Sequence, residues 1–177
     1  MPDVIEPAST GRAKCRRCGG KIEKGMLRFG EAVANAFGEG EATHWFHVAC
    51  AAESRPEKLD PVLRSTAVEL PDREAIERAI KDGVENPQLV MIKHADRAPT
   101  GRATCQQCRE KIEKGTLRVA IERETEAAAM NAVSFVHARC IRDHVGMIGL
   151  VDKLRRVSPA LPEADLLELE QIVEAAP

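Results

Sequence analysis

Apolar and polar positions alternate in two short segments ninety residues apart. Leu117, Val119 and Ile121 interleave with Arg118, Ala120 and Glu122, the period of a half-buried β-strand, which puts Arg118 on the side away from the core. Leu27 and Phe29 flank Arg28 in the same way. Short apolar stretches, Val4-Ile5 and Leu89-Val90-Met91-Ile92, precede these segments and read as strands leading into them. Irregular loops are expected over 31–43 and 122–132, each followed by a second strand carrying His47 or His137. Further on, Ile76, Ala79 and Ile80, and later Leu166, Leu169, Ile172 and Val173, recur at helical spacing on one face. Pro71 and Pro162 stand near the starts of these helices, where proline is tolerated. The pattern predicts small α+β domains in tandem, each an antiparallel sheet closed by C-terminal helices. Their expected bounds are 1–86 and 87–177, with the junction at Lys81 to Pro87.

The duplication extends to the residues with chemistry. Thr10 to Arg28 and Thr100 to Arg118 share Gly-Arg-Ala, Cys-x2-Cys, Lys-Ile-Glu-Lys-Gly and Leu-Arg. Cys15-x2-Cys18 is followed after 28 residues by His47-x2-Cys50, and Cys105-x2-Cys108 after 28 residues by His137-x2-Cys140. All six cysteines of the chain are used. Three thiolates and one imidazole form the ligand set of a closed structural Zn²⁺ site, so two zinc ions are expected. A redox Cys-x2-Cys pair or a disulfide framework would not require two identical spacers ending in His-x2-Cys. Aromatic residues make up 3% of the chain, with no tyrosine, and small units with so little aromatic core draw on a structural metal for stability.

Formal net charge is −2, and three thiolates with Zn²⁺ add −1 per site, which is unlike a strongly basic nucleic-acid binder. The average hides a local excess. Asp3 to Arg28 holds seven basic residues, Arg16 among them, against three acidic ones, and Arg97 to Arg123 repeats that tally. No apolar run approaches a membrane span, so no membrane partner is expected. The N-terminus shows no signal-peptide pattern. Cysteines set out as metal ligands fit a reducing compartment: the cytoplasm of a bacterium, at the nucleoid, or the nucleus if the source is eukaryotic.

The string Gly-Arg-Ala-x-Cys-x2-Cys-x3-Ile-x-Lys-Gly-x-Leu-Arg, followed by His44-Trp45-Phe46-His47-x2-Cys50, resembles the zinc finger of poly(ADP-ribose) polymerases, which also occurs in a eukaryotic DNA ligase. The resemblance covers roughly residues 4–82 and 90–174. It implies tandem PARP-type fingers that recognise DNA strand breaks and nicks, gripping phosphate with arginines and capping the exposed base pair with apolar loop side chains. Carried over by position, Arg12 and Arg28 in the first finger, and Arg102 and Arg118 in the second, are the backbone-gripping candidates, with Arg16 and His44 beside them. Phe37 and Met130, in the loops before the zinc histidines, are the stacking candidates. Each has a plainer reading: solvated charge for the arginines and surface histidine for His44. For Phe37 it is core packing, and for Met130 a short helical turn with Ala127 to Ala129. Trp45 is expected to be structural, wedged beside the metal. The second copy has Phe135-Val136 in place of Trp-Phe, and its loop carries Glu122, Glu124 and Glu126, so the first finger is expected to bind DNA more strongly.

The implied function is non-enzymatic recognition of DNA breaks or nicks with little sequence dependence, in repair or damage sensing, with repair proteins as further partners. An adaptor, in which one finger binds DNA and the other a protein, is the alternative. Neither a phosphate-binding glycine loop nor a nucleophile–base pattern suggests catalysis, and no ADP-ribosyltransferase or ligase segment is recognised.

Overall fold

The computed structural model describes residues 2–35, 39–123 and 132–175. The chain divides into two compact units, Met1–Glu85 and Asn86–Pro177, each with its own core.

Unit 1 is an antiparallel meander of β1 (Val4–Pro7), β2 (Leu27–Ala34) and β3 (Glu41–His47), in the order β1-β2-β3. The register pairs Ile5 with Phe29 and Phe29 with Phe46, so these three apolar side chains share one face. Helices α1 (Val48–Ser54), α2 (Pro56–Ser65) and α3 (Arg73–Glu85) supply Ala51, Ala52, Leu59, Leu63, Ile76 and Ile80 to the same core. The other face carries Glu6, Arg28 and His47 in one cross-strand row, with Gly30 and Trp45 beside it.

Unit 2 repeats the plan. Its sheet is β4 (Ile92–Arg97), β5 (Leu117–Arg123) and β6 (Ala132–His137), ordered β4-β5-β6. Its helices are α4 (Ile141–Val145), α5 (Leu150–Val157) and α6 (Glu163–Ala175). Asp96, Arg118 and His137 form the row equivalent to Glu6, Arg28 and His47. The predicted apolar helix faces are where the pattern puts them: Ile76, Ala79 and Ile80 are buried, as are Leu166, Leu169 and Val173, and Ile172 packs partly buried against the core.

Three details differ from the pattern reading. The irregular loops are shorter than expected, because β2 runs on to Ala34 and β3 starts at Glu41, while β5 runs to Arg123 and β6 starts at Ala132. Backbone pairing continues there although side-chain alternation does not. The second lead-in strand starts at Ile92, because Pro87 at the first position of a 3₁₀ turn curls Pro87–Leu89. Helices α2 and α5 lie between the zinc histidine and the closing helix in each unit, and the apolar pattern does not separate them.

One local exchange shows how the copies diverged. A Cβ on Gly30 would stand 2.7 Å from Trp45 Cζ3 and 3.0 Å from Thr43 Cγ2. In unit 2 the pair opposite one another is Ala120 and Phe135, a larger strand residue facing a smaller ring. Gly30→Ala is therefore expected to destabilise unit 1 by about 1–3 kcal/mol through overpacking, more than the ~0.5–1 kcal/mol that alanine gains over glycine within a strand. Trp45→Phe in the same chain should restore most of that stability. Denaturation midpoints of the two single variants and the double check this, and additive effects would refute the steric account.

Candidate metal centres and nucleic-acid interface

Each metal centre joins a Cys-x2-Cys turn to the junction of strand and helix. In unit 1 the turn is tied by Gly19 N–H to Cys15 C=O (2.8 Å) and Cys15 N–H to Gly20 C=O (2.8 Å). Gly19 has φ 73°, and the equivalent in unit 2 is Arg109 at φ 65°, a left-handed conformation costing a non-glycine residue roughly 1–2 kcal/mol. Unit 2 keeps the turn regardless, with Arg109 N–H donating to Cys105 C=O at 3.0 Å. His47 ends β3 and Cys50 lies in the first turn of α1. Cys140 instead closes a 3₁₀ turn, Ala138–Cys140, just before α4.

In each unit the four donor atoms lie within 4.8 Å of one another. Cys18 Sγ and Cys50 Sγ are 3.4 and 3.8 Å from His47 Nδ1, and Cys108 Sγ and Cys140 Sγ are 3.4 and 4.0 Å from His137 Nδ1. Tetrahedral zinc with ~2.3 Å bonds to sulfur and ~2.0 Å to nitrogen requires S···N separations of about 3.5 Å, so the donors fit. His47 Nε2 and His137 Nε2 each lie 3.2 Å from a backbone carbonyl, of Lys21 and Lys111. Donating Nε2–H there leaves Nδ1 free to bind metal. Backbone N–H groups also reach the sulfurs, Gly20 to Cys18 at 3.4 Å and His137 to Cys105 at 3.3 Å.

These donors prepare the thiolates. Before metal binds, a hydrogen bond from the Cys50 thiol, helped by backbone N–H groups, holds Cys15 down to about 4. The same bond, with burial, pushes Cys50 far above its ordinary range. Burial pushes Cys105 up, but backbone N–H groups of Cys108, His137 and Gln107 outweigh it and lower its pKa. Burial pushes Cys140 up to about 11. Zn²⁺ displaces the remaining thiol protons. With four protein ligands no coordination position is left for water, so the two centres are structural.

The zinc-histidine face of each sheet carries an arginine in a specific setting. The Arg28 guanidinium lies 3.4 Å from the Trp45 ring centroid, and Arg118 lies 3.6 Å from that of Phe135. Arg28 Nε and Nη2 donate to Glu6 Oε1 at 3.2 and 2.6 Å. Arg118 Nε and Nη2 donate to Asp96 Oδ1 and Oδ2 at 2.8 and 2.9 Å. Both arginines lie on the face away from the core, as the alternation predicts, yet each is only 7% exposed, because ring and carboxylate cover them. Trp45 packs partly buried against the core and beneath the Arg28 guanidinium. Phe135 takes its role, and Phe46 and Val136 are the equivalent core residues. The missing Trp-Phe pair of the second copy is thus an equivalent substitution. Sequence reasoning misses the carboxylate partners, although a signal exists: Glu6 and Asp96 both stand nine residues before the first cysteine of their unit.

The remaining candidates are placed unevenly. Arg12, Arg16 and Arg102 are exposed. In unit 2 Arg102 and Arg118 line one groove of about 490 Å³ with Gln106, Ser134 and Phe135, so the structure brings these two together. His44 pairs with Glu31 and faces the same side as Phe46, away from Arg28. Desolvation and the nearby Arg16 guanidinium lower its pKa, leaving it neutral at pH 7. Phe37 and Met130 lie outside the described residues, as do Glu124 and Glu126; Glu122 is half-buried in β5. No helix among the described residues is long and apolar enough to cross a membrane.

Residues 6–86 match the family model described as "Poly(ADP-ribose) polymerase and DNA-Ligase Zn-finger region". The chain is similar to a poly(ADP-ribose) polymerase of Sarcophaga peregrina, 26% identical over 86% of this chain and 17% of that protein. It is similar also to poly(ADP-ribose) polymerase 1 of Gallus gallus, 29% identical over 67% of this chain and 13% of the relative. Polynucleotide 3'-phosphatase ZDP of Arabidopsis thaliana is 24% identical over 98% of this chain and 28% of its own length. The chain thus spans less than a third of each of these relatives.

Proposed function

We propose that this chain, whose first unit is a PARP-type zinc finger and whose second repeats its ligands and fold, is a non-enzymatic binder of DNA strand breaks and nicks. The observation that carries the reading is the duplicated arginine: Arg28 and Arg118 occupy the same cross-strand position, on the zinc-histidine face, each laid on an aromatic ring. Planar forks held in this way suit phosphate oxygens, and the exposed Arg12 and Arg102 extend the interface. Phosphate contacts carry no base information, so binding is largely independent of sequence. Phe37 and Met130 are the candidates for stacking on the base pair at a break, an interaction worth ~1–3 kcal/mol per base. Two fingers on one chain reinforce each other through their tether. The setting is DNA repair or damage sensing, in the compartment that holds the DNA: the bacterial nucleoid, or the nucleus of a eukaryote.

Unit 1 is the stronger binder in this reading. Where it has the exposed Arg16, unit 2 has the neutral Gln106. The acidic residues Glu122, Glu124 and Glu126 support a second reading for unit 2 alone, as a site for a protein partner.

The test is fluorescence anisotropy with nicked, gapped, blunt and intact duplexes across a salt series. Broken duplexes should bind about tenfold tighter than intact ones, the effect of one stacked base, and log K should fall linearly with log salt by ~0.9 per neutralised phosphate. Equal affinity for intact and broken duplex would refute break recognition. Absence of binding to any duplex would refute the DNA reading altogether, and nuclease or phosphatase turnover by the pure chain would refute the non-enzymatic one.

A further inference from the structure

We infer that Glu6 and Asp96 are positioning residues for DNA binding: each fixes the guanidinium of its cross-strand neighbour, Arg28 or Arg118, flat on the aromatic ring with its outer edge aimed at a phosphate. The inference rests on the DNA reading above and goes beyond it, because two carboxylates beside a phosphate site would otherwise count against binding.

The geometry is the same in both units. Glu6 pairs directly with Arg28 across β1 and β2, and Asp96 with Arg118 across β4 and β5. Each carboxylate takes Nε and Nη2 of its arginine, which is one edge of the fork. Nη1 has no partner among the described residues, so the end of the fork stays available. The aromatic ring beneath removes the remaining freedom of the plane. Side-chain exposure is 8% for both arginines, against 40% for Glu6 and 33% for Asp96. The guanidinium is thus the enclosed member of each pair, and the carboxylate closes over it from the rim. The two acids differ in length, yet both place acceptor oxygens on the same two nitrogens. An arginine ordered in advance loses less rotamer freedom when it binds. That gain competes with Coulomb repulsion between carboxylate and phosphate, which is weak for groups this exposed to water.

The two effects predict opposite signs, which makes the test decisive. Anisotropy titrations with a fluorescein-labelled nicked duplex would compare the full chain with Glu6→Ala, Glu6→Gln, Asp96→Ala and Asp96→Asn, with zinc content measured for each. Positioning predicts that Glu6→Ala weakens binding about tenfold, as when a charged hydrogen bond is removed, while the salt slope changes little because Arg28 keeps its charge. Glu6→Gln, which keeps an acceptor, should recover at least half of that affinity on a logarithmic scale. The Asp96 variants should follow the same order. Unchanged or tighter binding by the alanine variants, or equal weakening in the alanine and amide variants, overturns the inference. If Glu6→Ala releases zinc, the Asp96 series decides alone, since a change in unit 2 leaves unit 1 intact. Failure of the unmodified chain to bind any duplex defeats the DNA reading instead, so the two failures are distinct.

Discussion

Cys50→Ala should leave residues 1–85 unfolded while unit 2 keeps its structure and its metal. The replaced sulfur belongs to the centre that joins three parts of unit 1: the Cys-x2-Cys turn, the end of β3 and the start of α1. Zinc binding in sites of this kind contributes about 10–16 kcal/mol at neutral pH. Small domains have only ~5–15 kcal/mol of net stability in all, so the core of Phe29, Phe46, Leu59 and their neighbours cannot absorb its removal. Without Cys50 the Cys15 thiolate also has no hydrogen-bond donor from that side. Metal analysis should find one zinc per chain in place of two, and circular dichroism should show helix and strand signal missing from one unit only. Cys140→Ala should mirror this in unit 2, and a strong chelator should unfold both. A Cys50→Ala chain that retained two zinc ions and a full native signal would show that the four donors in unit 1 are not a structural zinc site. The two cores are built separately, and that is why one substitution is expected to remove only one unit.

The metal centres are legible in the sequence because coordination chemistry constrains residue type and spacing together. Two identical Cys-x2-Cys to His-x2-Cys spacers point to zinc before any fold is known, and the donor geometry fits. The closing helices are legible for a similar reason: Ile76, Ala79 and Ile80 repeat at the helical period and are buried. Helix α2 is hidden because Pro61 and a run of charges obscure its period, although Leu59 and Leu63 bury one side. The outward side of β2 is legible from alternation, but the burial of Arg28 is not. It depends on Glu6 from β1 and Trp45 from β3 arriving over the same residue, which is a matter of register between strands distant in sequence. His44 has the same lesson in reverse: it adjoins Trp45 in sequence but faces the opposite side of the sheet.

Arg28→Ala should weaken binding to nicked duplex by roughly ten- to thirtyfold, the value of a charge-assisted hydrogen bond removed without replacement. The effect should be similar across DNA sequences, and the salt slope should fall by about one phosphate. Stability should change less than affinity. The partner left behind, Glu6, is 40% exposed on its side chain and can be hydrated, so the large penalty for an orphaned buried charge does not apply. Arg28→Lys separates charge from shape. An ammonium carries the same charge, but it cannot lie flat on Trp45, donate to Glu6 and present a second edge to phosphate at once. The lysine variant should therefore keep most of the salt slope while recovering little of the affinity. Full recovery by lysine would reduce Arg28 to a generic positive charge, and the stack on Trp45 would then be packing alone. Arg118→Ala should weaken binding less, because unit 2, with Gln106 where unit 1 has the exposed Arg16, carries the smaller share of the DNA contact in this proposal. A larger effect at Arg118 than at Arg28 would reverse the ranking of the two units.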